Sequence, residues 1–141
     1  MARLQSSDPL VSLPGYALRR AANAMMDELG ARLAEIGLRV SDASVLLLVV
    51  ARRDMTSSEI GKVLDIQRAN MVPLLNRLEA AGLIAREPID RKSQAILLTA
   101  EGQARLGEVT VITGQFEADL MARIPAEHRS HFVPALMALL A

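Results

Sequence analysis

A mainly α fold with a minor α+β element, helices around one small two-stranded hairpin, is what the sequence predicts, and three observations predict it. Apolar residues recur at spacings of three and four along most of the chain. Aromatic residues make up only 2% of the composition, so the core falls to Leu, Ala, Val, Ile and seven Met, a set that favours helices. Between Gly82 and Thr99 that period gives way to two short extended runs around a polar tip. With 141 residues, 51% of them hydrophobic and 23% charged, the chain suits one integrated domain with a real core.

Residues 1–8 are polar and unpatterned. Pro14 and Gly15 then introduce a helix whose stripe of Leu18, Ala22, Met25, Leu29, Leu33 and Ile36 ends near Gly37 and needs a partner helix. Ser41 with Asp42 reads as the N-cap and first turn of a second helix, apolar on every side from Val45 to Val50 and therefore central. Thr56 and Glu59 match a capping box that opens a third helix of about two turns, with Ile60, Val63 and Leu64 on its apolar face. After a tight turn at Asp65 and Ile66 the pattern restarts from Gln67, with Met71, Leu74, Leu75 and Leu78 inward and Gly82 as the stop.

Leu83 to Glu87 and Ala95 to Thr99 are the expected strands, and the tip between them carries Arg91 and Lys92. Thr99 and Glu101 begin a long helix through Leu106, Val109, Ile112, Phe116, Leu120 and Ile124. Pro125 suits the first turn of a last helix, Ala126 to Leu140, which holds His128, His131, Phe132 and Pro134.

Several functions are excluded by composition. Sixteen Lys plus Arg balance sixteen Asp plus Glu, so any attraction to DNA comes from local placement of charge. The absence of Cys removes disulfides, zinc ribbons and thiol chemistry. There is no glycine-rich phosphate loop, and the only two His stand three apart on a terminal helix, too few ligands for a metal. We therefore expect no enzyme, no metal and no cofactor. The longest apolar run, Ala43 to Ala51, is interrupted by Ser44 and is too short to span a bilayer, so a cytoplasmic protein with no membrane partner is expected.

Helix, tight turn, helix and hairpin form the order of a winged helix-turn-helix, which sends its second helix into the major groove and its hairpin to the flanking minor groove or backbone. The wording of three stretches adds to this: PGYALRRA from Pro14, the block from Ser57 to Arg86 containing NRLEAAGLI, and DRKSQAILLTAEGQ from Asp90. In combination they resemble the MarR family of bacterial transcriptional regulators, from about Pro14 to Ile124. The resemblance implies a homodimer with interlocked first and last helices and two winged units on a pseudo-palindromic, double-stranded operator. It implies a division into an arm and dimerisation helix (1–37), a winged DNA-binding unit (38–99) and C-terminal dimerisation helices (100–141). The long apolar stripes at both ends agree with burial between two copies.

With Met71, Leu74, Leu75 and Leu78 facing the core, the residues expected to meet DNA are Gln67, Arg68, Ala69, Asn70, Val72, Pro73, Asn76 and Arg77, with Arg91 and Lys92 of the wing. For Arg77 an ion pair on a solvated helix face is an equal expectation. Ala69, Val72 and Pro73 stand where relatives more often carry Ser, Ser or Thr, and Arg, which thins polar readout. Pro73 also removes a backbone hydrogen bond inside the helix and is expected to kink it or delay its start. Lys92 replaces the more usual wing Arg, and phosphate contact is the expected role of both wing cations.

The resemblance further implies a pocket for a small aromatic or phenolic effector that relieves repression. Tyr16, Arg19 and Arg20 are the local cluster that joins an aromatic hydroxyl to cations. An alternative function is a winged-helix interaction module acting through a protein partner, favoured by the apolar character of Ala69, Val72 and Pro73.

Overall fold

The computed structural model describes residues 9–141, so the polar arm expected over residues 1–8 lies outside them. Six α-helices and one hairpin follow in order: α1 (Pro14–Ala34), α2 (Val40–Ala51), α3 (Ser57–Leu64), α4 (Arg68–Ala80), β1 (Ile84–Pro88), β2 (Gln94–Leu98), α5 (Ala100–Arg123), a short 3-10 turn (Ala126–His128) and α6 (Arg129–Ala138). None of the described helices is long and apolar enough to cross a membrane.

Pro14 occupies the first turn of α1, where its missing N–H costs nothing, and the chain leaves that helix through Gly37 at φ +75°. α2 begins two residues earlier than its sequence suggests. Arg39 is the N-cap, and Asp42 reaches back from the third helical position to accept the Arg39 N–H at 2.8 Å. Ser41 therefore lies inside the helix, because the carboxylate behind it does the capping.

α2 packs against α1, α3, α4, α5 and β2, and it buries Ala43, Val45, Leu46 and Val49. It is not enclosed on every side. Val50 stays 49% exposed, since no described element covers its face. Leu33, Ile60, Met71, Leu75, Leu78, Ile96 and Val109 complete the fully buried centre.

Thr56 accepts the Glu59 N–H at 3.2 Å, but its own hydroxyl donates to the Glu59 carboxylate. Only the hydroxyl half of the expected reciprocal box is thereby formed, with the Glu59 carboxylate taking the Thr56 hydroxyl in place of its backbone N–H. The strands are antiparallel, with Ile84 opposite Leu98 and Pro88 opposite Gln94. β1 begins one residue later and β2 ends one residue earlier than expected. Thr99 explains both shifts: its N–H takes the Leu83 carbonyl at 3.1 Å, and its hydroxyl oxygen caps α5 by accepting the Gly102 N–H at 2.9 Å.

The single C-terminal helix expected from Ala126 to Leu140 is divided. His128 N–H bonds the Pro125 carbonyl at 2.9 Å in a 3-10 pattern, and the α-helix starts only at Arg129. Arg129 turns back to the Ile124 carbonyl at 2.8 Å, which closes the end of α5. α6 buries no residue, and Val133, Met137, Leu139 and Leu140 are each more than half exposed. Leu13, Leu18 and Met26 near the start of the chain are also exposed, at 41–50%. Both helical ends thus carry apolar surface that this chain leaves uncovered.

An ion-pair network ties α1 to α5. Arg32 bonds Glu28 at 2.9 Å and Asp119 at 2.8 Å, Arg123 bonds Glu28 at 2.7 Å, and the Arg32 guanidinium lies over the Phe116 ring. Arg123 and then Arg32 hold the Glu28 carboxyl below its ordinary value, and Gln115 and then Arg32 do the same for Asp119. With folded values depressed, the unfolded chain binds more protons, so this contribution is present above the ordinary Glu value of 4.5 and is lost as pH falls through the lower folded values. Melting followed by circular dichroism is expected to be level between about pH 7 and 5 and to fall below about 4.5. Arg32→Ala is expected to flatten part of that fall.

Candidate nucleic-acid interface

The turn between α3 and α4 is set by two backbone features. Asp65 adopts φ 55°, in the left-handed region, and the Ile66 N–H returns to the Gly61 carbonyl at 2.8 Å. A side chain at Gly61 would sit 3.0 Å from the Ile66 carbonyl oxygen and 3.1 Å from Met71, so glycine permits the close approach of the two helices.

From this turn α4 presents Met71, Leu74, Leu75 and Leu78 to the core, as its periodicity predicts. Gln67, Arg68, Ala69, Asn70, Val72, Pro73 and Asn76 are all exposed. Pro73 does not delay the helix: Asn70 and Met71 N–H groups both reach the Gln67 carbonyl, at 2.9 and 3.1 Å, and α4 begins at Arg68. The donor that Pro73 lacks would have served Ala69, whose exposed position lets water take its place.

Arg77 belongs elsewhere. Its guanidinium is ion-paired with Asp42, which is only 3% exposed, so the residue anchors α4 to the start of α2. Asp42 therefore caps its own helix through the Arg39 N–H and joins it to α4 through Arg77. Arg77→Ala leaves a buried carboxylate with one donor fewer, and because Arg77 is itself part-exposed the expected loss is about 1–2 kcal/mol of stability. Urea unfolding checks this, with Arg77→Lys expected to recover part of the loss.

At the wing, the Asp90 carboxylate accepts the backbone N–H groups of Lys92 and Ser93, each at 2.8 Å, and these two bonds hold its carboxyl below the ordinary value. The tip is thereby folded by its own acid, and Arg91 and Lys92 are exposed and engaged in no ion pair among the described residues. Arg86 is differently placed: it bonds Glu79 at 3.1 Å and the Asn76 side-chain oxygen at 2.9 Å. Of the cations between Ile66 and Gln94, those left unpaired among the described residues are Arg68, Arg91 and Lys92.

α3, α4 and the wing enclose a cleft of about 930 Å³, lined by Lys62, Arg68, Val72, Arg86, Arg91 and Lys92 among others. Ser57 and Ser58, at the start of α3, also border it. Sequence reading passed over these two hydroxyls, although their place in the first turn of the leading helix, the one that crosses the backbone in this motif, is the signal that marks them. Arg52 and Arg53 are exposed outside the cleft. Tyr16 is half-buried and Arg19 and Arg20 are exposed on the first half of α1, away from the cleft lining. His128 and His131 are exposed, and no three metal-ligating groups come together among the described residues.

Residues 36–93, from just after α1 to the tip of the wing before β2, match the model of the MarR family. The repressor CouR, solved bound to a 23-mer DNA duplex, superposes with a TM-score of 0.81 and is 30% identical, covering 93% of this chain and 94% of that one. The chain belongs to the MarR family. MarR-family proteins are transcription regulators rather than enzymes, and the α3–α4 pair with its hairpin is their winged helix-turn-helix.

Curated HTH-type transcriptional regulators also match over most of the chain. The transcriptional repressor Rv2887 of Mycobacterium tuberculosis (strain H37Rv) is 25% identical over 120 residues, 84% of this chain and 86% of that protein. Its structure in complex with salicylic acid aligns with a TM-score of 0.72 at 26% identity, over 95% of this chain and 98% of that one. The transcriptional regulator YwoH of Bacillus subtilis (strain 168) is 25% identical over 118 residues, 83% of this chain and 86% of that protein.

Proposed function

We propose that this MarR-family chain is a homodimeric, sequence-specific repressor that binds a pseudo-palindromic operator and leaves it when a small aromatic acid binds. The observation that carries the reading is the cleft itself, where Arg68 and Val72 of α4 and the unpaired Arg91 and Lys92 line one surface. Arg68, Asn70 and Gln67 flank that surface with further cationic and amide groups, and Ser57 and Ser58 offer hydroxyls to phosphate. Residues 38–99 form the DNA-reading unit in this proposal, and residues 1–37 and 100–141 join the two copies. The open apolar side chains of α1 and α6 support that division, because a second copy would remove them from water. Acting on DNA places the protein in the cytoplasm.

Relatives solved with DNA and with salicylic acid support release by a small organic ligand. Tyr16, Arg19 and Arg20 are our candidates for holding its carboxylate, on the uncovered half of α1 where a second copy would close the site. Release follows if the ligand binds better to a spacing of the two α4 helices that does not fit the operator.

The test is selection of bound fragments from the source organism's genomic DNA, with Arg91→Ala/Lys92→Ala as the control. Enrichment of a palindrome by the wild type, lost in the control and reduced by salicylate, supports the reading. The 55% exposure of Val72 favours a second reading, a module that binds a protein through this face. Absence of any enrichment at low salt selects that one.

A further inference from the structure

The exposed face of α4 is unusual for a surface that reads bases. Ala69, Val72, Pro73 and Asn76 fall at i, i+3, i+4 and i+7, one above another on a single side of the helix. Three of the four carry no polar side-chain atom, and Val72 is more than half exposed at 55%. Against such a face the edges of adenine, guanine and cytosine lose water from N7, O6, N6 or N4 and receive no hydrogen bond in return. Thymine alone offers a methyl group in the major groove, which gains from that same dehydration.

Asn76 narrows the choice further. Its side-chain oxygen already accepts from Arg86 at 2.9 Å, and Arg86 is fixed in turn by Glu79 at 3.1 Å. With the oxygen half engaged, the amide NH2 is the fully free group facing a base, and it donates. A donor one turn along from a methyl-sized apolar patch matches the thymine edge, where O4 accepts beside the C5 methyl. The cations of the cleft that Val72 also lines, Arg68, Arg91 and Lys92, supply the sequence-independent attraction that brings the duplex there.

We infer that α4 recognises thymine in the operator chiefly by its 5-methyl group, packed on Ala69, Val72 and Pro73, with Asn76 donating to O4. The inference rests on the DNA-binding reading above. Specificity on this face comes from apolar contact and from the dehydration of wrong bases, while Asn70 and Arg68 at its margin add polar contacts to neighbouring pairs.

The experiment uses an operator selected by the full-length wild type from a pool of randomised duplexes. Thymines are then replaced one at a time by deoxyuridine, which removes the methyl and leaves the pairing edge unchanged, and affinity is read by fluorescence anisotropy. Expected is a loss of about fourfold at one or two thymines in each half-site, and little change at thymines outside them. Val72→Ala, an exposed substitution in a helix, is expected to abolish the penalty at one of those positions while binding the uridine duplex as tightly as the wild type does. If every uridine duplex binds like its parent, or if the penalty persists unchanged in both Val72→Ala and Pro73→Ala, the inference is overturned and the repressor reading stands. If no duplex is enriched at low salt, the two fall together.

Discussion

Replacing Arg91 and Lys92 together by Ala is expected to weaken binding to operator DNA about a hundredfold at about 0.1 M salt. The reason lies in what holds the wing. Asp90 folds the tip by accepting two backbone N–H groups, so the two cations contribute nothing to its shape and are available to phosphate. Each phosphate neutralised releases a counterion, and in the proposed dimer the loss of four such contacts should make the slope of log K against log salt shallower by about three to four. Titrations at several salt concentrations measure this directly. A hundredfold loss with an unchanged slope would assign the two residues to something other than phosphate contact. Unchanged melting of the double variant is part of the expectation, since neither side chain is buried or paired within the described residues.

Gly102→Ala is expected to destabilise the fold by about 3 kcal/mol or more. A Cβ at this position would overlap the Leu83 carbonyl oxygen and lie 3.1 Å from the Leu83 carbonyl carbon, backbone atoms that have no rotamer to escape into. Leu83 cannot yield cheaply, because its carbonyl also accepts the Thr99 N–H, and Thr99 donates its hydroxyl to the Gly82 carbonyl at 2.6 Å. The contact welds the root of the wing to the first turn of α5. Gly107 and Gly114, further along the same helix, would meet nothing within 4 Å, so Ala there should stabilise by about 0.5–1 kcal/mol. Urea unfolding of the three variants separates steric cost from helix propensity by the opposite signs.

Features governed by neighbours in sequence were legible in advance. The inward face of α4, the left-handed exits at Gly37 and Gly82 and the hydroxyl cap at Thr99 all follow from local periodicity or local hydrogen bonding. Features that depend on distant partners were not. Arg77 looked outward on a helical wheel, and only its meeting with Asp42, 35 residues earlier, turns it into an anchor. Asn76 is expected from sequence only to meet DNA, and the engagement of its oxygen by Arg86, ten residues away, shows only in the fold. Arg39 gave no sign of being a helix cap, because the capping group belongs to Asp42 and the position itself contributes only a backbone N–H. On α4 the periodicity therefore made the exposed residues legible, Arg77 apart, while the partners of each depended on contacts across the fold.

The last helix carries a consequence of its own. Ten residues are fewer than the about 12–15 that an isolated helix needs to persist in water, and α6 buries none of them within its chain. Whatever covers it must therefore supply its order. With a second copy as the cover, dilution acts as a denaturant of this helix, and its amide exchange should slow as protein concentration rises. Copy number in the cell then becomes an input in its own right, setting how much of the protein is whole before any ligand or operator is met.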